Sequence, residues 1–248
     1  METMTDACSG AQCSAAFFDL DNTLLRGSSL FHLGWAGFKR GMFSTREALR
    51  FSLAQCHFCL TRRERDGAPE MWGSFAAAFV KGAEVAELVR MGRESMEESV
   101  RPALREPVVD MARRHLAGGE EVWIVTASPH ELSQMLAESL GFTGGIGTRA
   151  EVANSRYTGR IPAGILHGPL KAKAVAAIAG ERGIDLARSS AYSDSINDLP
   201  LLRAVGFPHV IAPDRQLERV ARRLGWPVHH ARNYRDLLGR MVRSRSGV

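Results

Sequence analysis

Two carboxylates, Asp19 and Asp21, close the apolar run "AAFFDLDNT". On an extended chain, alternate residues share a face and stand roughly 6.5 Å apart. Carboxylates that close raise each other's pKa unless positive charge accompanies them. The pair calls for a cation, a shared proton or both; alone, it would also suit an exposed Asp-Asn turn that ends a strand. A second acidic cluster, in "AYSDSINDLP", supplies Asp194 and Asp198 after another short apolar segment. If the two segments are neighbouring strands, Asp194 arrives beside Asp19. Carboxylates converging in this way favour a hard divalent cation, and magnesium suits a site with few protein ligands. A third segment ends in "VTAS", which offers the Thr126 hydroxyl and the main-chain N–H groups of Ala127 and Ser128 to an anion. "HGPLKAK" sets Lys171 at the start of a helix pattern, with Lys173 as the alternative if the register differs. Acids, a hydroxyl, a lysine and a helix N-terminus together describe a magnesium-dependent phosphoryl site.

Such a site needs elements that bring distant segments to one edge. Short apolar segments at 15–19, 121–127, 189–194 and 209–212 read as buried strands. Helical patterns at 129–141, 171–183 and 217–225 separate them, each closing on a glycine. Strands alternating with helices predict an α/β fold with a parallel sheet covered on both faces, where ligands bind at the C-terminal strand ends. Between the first two strands, 29–104 carries only helical patterns and is too long for a single crossover helix. It reads as an inserted helical cap, placed to exclude water and select substrate. The expected organisation is a flexible tail at 1–14, an α/β core at 15–28 and 105–241, and the cap at 29–104.

The order of "DLDNT", "VTAS", Lys171 and "DSIND" resembles the four motifs of the haloacid dehalogenase superfamily of phosphatases. "YSDSINDLPLL", "AVGFP", "APDRQL" and "RRLGWPV" are similar to its phosphoserine-phosphatase-like branch, subfamily IB. The resemblance spans about residues 15–230 and implies a Rossmann-like core with a helix-bundle cap. It implies Asp19 as the nucleophile that forms an aspartyl-phosphate and Asp21 as general acid and then base. Thr126 and Lys171 would hold the phosphoryl group, with the backbone at Ala127 and Ser128. Mg2+ would be bound by the Asp19 and Asp194 carboxylates and the Asp21 carbonyl. Asp198 would be a further ligand or an orienting acid, with Asn197 helping to place it. Phosphoserine phosphatases of this kind carry a glutamate for the substrate ammonium nine residues after the nucleophile. Here Ser28 occupies that substrate-facing position, and two glycines usual in the second motif are Ala127 and Ser128. The implied reaction is hydrolysis of a small organic phosphate monoester other than phosphoserine. Transfer of the phosphoryl group to another alcohol and a lipid-phosphate substrate are the alternatives. A dehalogenase would need neither Asp21 nor Asp194, and a non-catalytic binding module would show a broken motif.

Composition narrows the partners. The chain has 248 residues, and its 45% hydrophobic content suffices for one large domain or a core with an insert. The net charge is +5, but the basic residues are dispersed and aromatics make up only 7%, so no nucleic-acid footprint is expected. No apolar run is long enough to span a membrane, and the polar N-terminus lacks signal-peptide character; a cytoplasmic location is expected. Cys8 and Cys13 fall in the tail and Cys56 and Cys59 in an apolar helix pattern, without zinc-site or redox context. In the cap, Trp35, Phe38, Phe51, Phe58 and Trp72 suit its own core or a pocket for a bulky leaving group. Arg62, Arg63 and Arg65 read as a solvated loop, and His130 and His167 as loop histidines.

Overall fold

The computed structural model describes residues 13–39 and 81–230. The architecture is organised by one short strand. β1 (Ala15–Phe18) is wholly buried because both faces of the sheet are covered. Ala15 and Phe17 point into one hydrophobic cluster, and Ala16 and Phe18 into the other. That two-sided burial is why the segment reads as continuous apolar sequence rather than as an alternation. β1 pairs in parallel with β2 (Glu121–Pro129) on one side and β6 (Ser190–Ser193) on the other.

The six-stranded parallel sheet runs β3-β2-β1-β6-β7-β8, with β3 at Gly144–Thr148, β7 at Phe207–Ile211 and β8 at Val228–His229. β4 (Val152–Ala153) and β5 (Arg156–Tyr157) form a separate antiparallel hairpin. The helices are α1 (Ser29–Lys39), α2 (Val85–Ser95), α3 (Glu106–Ala117), α4 (His130–Leu140), α5 (Pro169–Arg182), α6 (Leu199–Ala204) and α7 (Arg215–Leu224). A π-helical stretch, Met96–Val100, continues α2. Helices α3 and α4 cover one face through Val108, Met111, Leu132 and Leu136. Helices α5, α6 and α7 cover the other through Val175, Leu201, Leu202 and Leu217. The expected parallel α/β sheet is therefore present, with two more strands than the apolar pattern predicts. β3 reads "GGIGT", and β8 has two residues.

Helices α1 and α2 carry a third, smaller cluster. Leu33, Leu88 and Met91 pack with Tyr157 of the hairpin. Backbone bonds tie the same regions together, from Gly82 N–H to the Tyr157 carbonyl (2.8 Å), Tyr157 N–H to Ala83 (3.0 Å) and Val85 N–H to Ser155 (3.0 Å). Trp35 is 47% exposed, so among the described residues it is not part of a cap core. Phe51, Phe58, Trp72, Cys56, Cys59 and the three arginines at 62, 63 and 65 lie outside the described residues, as does Cys8. Cys13, half-buried beside the β1 end of the sheet, is disulfide-bonded. No helix among the described residues is long and apolar enough to cross a membrane.

A buried polar stack crosses the sheet. The Tyr192 ring lies parallel to Phe18, with centroids 4.2 Å apart, and to His209 at 4.6 Å. Its hydroxyl meets His115 Nε2 at 2.8 Å, and His115 Nδ1 meets the Glu120 carboxylate at 2.7 Å. Burial, reinforced by His229 and His115, pushes the His209 imidazole down to about 3, so it is neutral.

The glycines of β3 have a packing reason. A Cβ at Gly145 would fall 2.3 Å from the backbone of Ser133 in α4, which no rotamer can relieve. Gly145→Ala should force strand and helix apart and destabilise the fold by about 1–3 kcal/mol. A lowered midpoint of urea unfolding would show it; an unchanged midpoint would mean the contact yields without cost.

Candidate active site

The carboxylates meet where β1 and β6 end. Asp19 follows β1 directly, and its N–H is held by the Tyr192 carbonyl at 2.9 Å. This cross-strand bond sets the end of β1 beside the end of β6, from which Asp194 follows. Asp194, Asp198 and Asp19 are all buried. After Asp19 the chain turns tightly. Asn22, at φ 60°, takes the left-handed conformation that asparagine tolerates, and its side-chain oxygen accepts from Gly27 N–H at 3.2 Å. The turn returns the backbone to Ser28 and Ser29, both buried, at the start of α1. There Ser29 N–H donates to Asp21 Oδ1 at 2.7 Å, and the Ser29 hydroxyl also bonds this carboxylate.

The two lysines differ in burial and in contacts. Gly168, at φ 51°, lets the chain enter α5 through Pro169 and sets Lys171 in the first turn, facing the sheet. Lys171 is buried, whereas Lys173 is exposed. The Lys171 ammonium donates to Asp19 Oδ1 at 2.6 Å and to Asp198 Oδ2 at 2.8 Å. Asp198 Oδ2 also accepts from the Ser193 hydroxyl at 2.7 Å. Asp198 thus orients the lysine. The loop carrying Asp194 and Asp198 is braced by Asp214, the N-cap of α7. Its carboxylate accepts from Ile196 N–H at 2.6 Å, and its own N–H donates to the Asp194 carbonyl at 2.8 Å. Asn197 Nδ2 bonds the Ser195 hydroxyl at 3.3 Å in the same loop.

β2 brings the third corner. Thr126 and Ser128 are buried, and Ala127 lies between them, half-buried. Ser128 N–H donates to Thr126 Oγ1 at 3.1 Å, and the Ser128 and Ser29 hydroxyls are 2.5 Å apart. Sequence reasoning missed Ser29, Ser193 and Asp214. Only Asp214 leaves a local signal, as an aspartate at the head of a helical pattern. His130 begins α4, where burial holds its pKa below the ordinary value, and His167 lies in the loop that leads to α5.

The electrostatics are dominated by burial. Burial, with Asp198 and Asp21 adding to it, pushes Asp19 from the ordinary 3.8 up to about 7, although Lys171 pulls the other way. Burial also raises Asp21, opposed by its hydrogen bonds to Ser29. For Lys171, burial disfavours the charge, but Asp19 and Asp198 outweigh it and keep the ammonium charged. This set of hard oxygen donors, with more acid than Lys171 can balance, fits a hard divalent cation. Among the described residues, no three His, Cys, Asp or Glu side chains form a ready-made metal cage.

The lysine is the hinge of this balance. Lys171→Met should cost about 3–5 kcal/mol at neutral pH, because it leaves two buried carboxylates without their ammonium. Asp19 has a folded pKa above its unfolded value, so the neutral acid favours the fold at low pH and this contribution is lost as pH rises towards 7. The gap in urea midpoint between the intact chain and the variant should therefore narrow on acidification. An equal gap on both sides of neutrality would mean that the acids do not depend on Lys171.

A family model described as haloacid dehalogenase-like hydrolase matches residues 16–203. Phosphoserine phosphatase SerB1 of Mycobacterium tuberculosis is 41% identical over 219 residues, 88% of this chain and 71% of that one. Histidinol-phosphatase of Neisseria meningitidis serogroup C is 30% identical over 226 residues, 86% of this chain and 96% of that one. The crystal structure of a protein of unknown function from Bordetella pertussis Tohama I aligns with a TM-score of 0.76 at 30% identity, covering 89% of this chain and 100% of that one. The chain belongs to the haloacid dehalogenase-like hydrolase family, on the branch of it whose relatives are phosphatases.

Proposed function

We propose that the chain is a magnesium-dependent phosphomonoesterase that hydrolyses a small organic phosphate through an aspartyl-phosphate on Asp19. The observation that carries this reading is the different tethering of two neighbouring acids. Asp19 is bonded to the Lys171 ammonium at 2.6 Å, while Asp21 is bonded to Ser29 at 2.7 Å. One acid is set up as a nucleophile and the other as a proton carrier. An Asp19 oxygen attacks phosphorus as the P–O bond to the alcohol breaks, and Asp21 gives its proton to the departing oxygen. Asp21 then takes a proton from water as the water oxygen attacks the same phosphorus. The P–O bond to Asp19 breaks, and inorganic phosphate leaves. Thr126, Lys171 and the backbone at Ala127 and Ser128 hold the phosphoryl oxygens.

The Asp19 and Asp194 carboxylates and the Asp21 carbonyl would hold Mg2+, with Asp198 beyond them. Bound there, the ion supplies the positive charge that lets an anionic nucleophile approach an anionic phosphate. In this reading residues 29–104 are a cap over a core made of 15–28 and 105–241, and α1 begins beside the site at Ser29. Ser28 is buried at the start of that helix and cannot neutralise an ammonium group. The preferred substrate is therefore a compound other than phosphoserine, although a relative bears that substrate in its name. The relatives' names point to two different substrates, so neither name selects one.

The test is phosphate release from a metabolite panel that includes phosphoserine and histidinol phosphate, with magnesium and with EDTA, for the intact chain and Asp19→Asn. Metal-dependent turnover, abolished in the variant, is the expected outcome. Activity that survives both EDTA and the variant would sink the mechanism. Phosphoserine as the best substrate would sink the reading of Ser28. Magnesium binding without phosphate release would point to phosphoryl transfer to an alcohol instead.

A further inference from the structure

Four groups on three segments form one continuous hydrogen-bonded line. It starts at Thr126 Oγ1, which accepts from Ser128 N–H at 3.1 Å. It passes between the Ser128 and Ser29 hydroxyls at 2.5 Å. It ends with Ser29 N–H on Asp21 Oδ1 at 2.7 Å. Both serines are 1% exposed, so water does not compete for these bonds. The two hydroxyls belong to residues 99 positions apart, one at the head of α1 and the other near the C-terminal end of β2. A short buried bond between two such hydroxyls fixes the position of one segment against the other. Ser128 matters here because a glycine at that position would offer no side chain to receive the helix.

We infer that Ser29 and Ser128 are positioning residues that hold the Asp21 carboxyl in fixed register with the phosphate cradle at Thr126. The inference rests on the proposed role of Asp21 as the proton carrier. Asp21 must reach the oxygen that leaves, and that oxygen's place is set by where the phosphoryl group sits. A direct link between the acid and the phosphate cradle makes the two distances one distance. Without it, Asp21 keeps its main-chain bond to Ser29, but α1 loses its anchor on the cradle and the acid moves with the helix. A displacement of about an ångström at a catalytic group is enough to cost orders of magnitude in rate.

The test compares two leaving groups in the full chain with magnesium. An alkyl phosphate needs a proton on its departing oxygen, whereas 4-nitrophenolate leaves as a stable anion. Ser29→Ala and Ser128→Ala should each lower the ratio of kcat for the alkyl ester to kcat for the nitrophenyl ester by about tenfold or more, as expected for impaired general acid catalysis. Ser29→Ala also removes the hydroxyl's own bond to Asp21, so the double variant should lose little beyond Ser29→Ala, because both break the same line. Far-ultraviolet circular dichroism identifies a variant that does not fold, and the other then carries the test. An unchanged ratio in a folded variant would overturn the inference, as would fully additive losses. If the intact chain cleaves neither ester, the phosphatase reading itself falls; if it cleaves both and the ratio is insensitive, only the role of the two serines falls.

Discussion

A buried ammonium between two buried carboxylates is the constraint on which this structure turns. Lys171 bonds Asp19 at 2.6 Å and Asp198 at 2.8 Å, with all three out of water. Removing such charges from solvent costs several kcal/mol each, and close geometry is what offsets it. The arrangement requires β1 and β6 to lie side by side, α5 to begin at the sheet's C-terminal edge and the turn after β6 to curl back. Each of those features has its own support: the bond from Asp19 N–H to Tyr192, the left-handed Gly168 and the Asp214 cap. The central ion pair thus depends on the sheet and helices around it, and its charges prepare an anionic site at the place where the fold brings strand ends together.

Much of this was legible in the sequence because it is carried by residues whose types have few other uses. A run such as "AAFF" reads as a buried strand, and the second acidic cluster at Asp194 and Asp198 is what distinguishes a site at its end from a plain turn. Lysine at a helix start was legible as a candidate, but its register was not; only burial separates Lys171 from Lys173. β3 was illegible because three of its five residues are glycines, chosen for close approach to α4 rather than for strand propensity. β8 is too short to leave a pattern. Ser29 and Ser193 escaped notice for a different reason. A serine is informative only through what it touches, and Ser29 meets Ser128 across 99 residues of sequence. Trp35 shows the opposite case, since an aromatic residue in an apolar helix pattern is still 47% exposed.

The hairpin of β4 and β5 gives the helical region a second attachment. Residues 82–85 add themselves to the hairpin by backbone bonds, and Arg156 pairs with Glu84. Tyr157 fills the apolar space between α1 and α2. The helices that follow β1 are therefore bound to two distant parts of the structure, at the Ser29–Ser128 contact and at this hairpin. A body held at two points has little freedom to rotate about either one.

The order of the chain puts its chemistry at an awkward moment of biosynthesis. β1 leaves the ribosome well before β2 and β6, yet Ala15 pairs with Glu121 and Ala16 with Ser190. Until β2 has been made, the strand that leads into Asp19 has no neighbour on either edge, and the edge that β6 fills stays open for about sixty residues more. A central strand left so exposed is a template for wrong pairing.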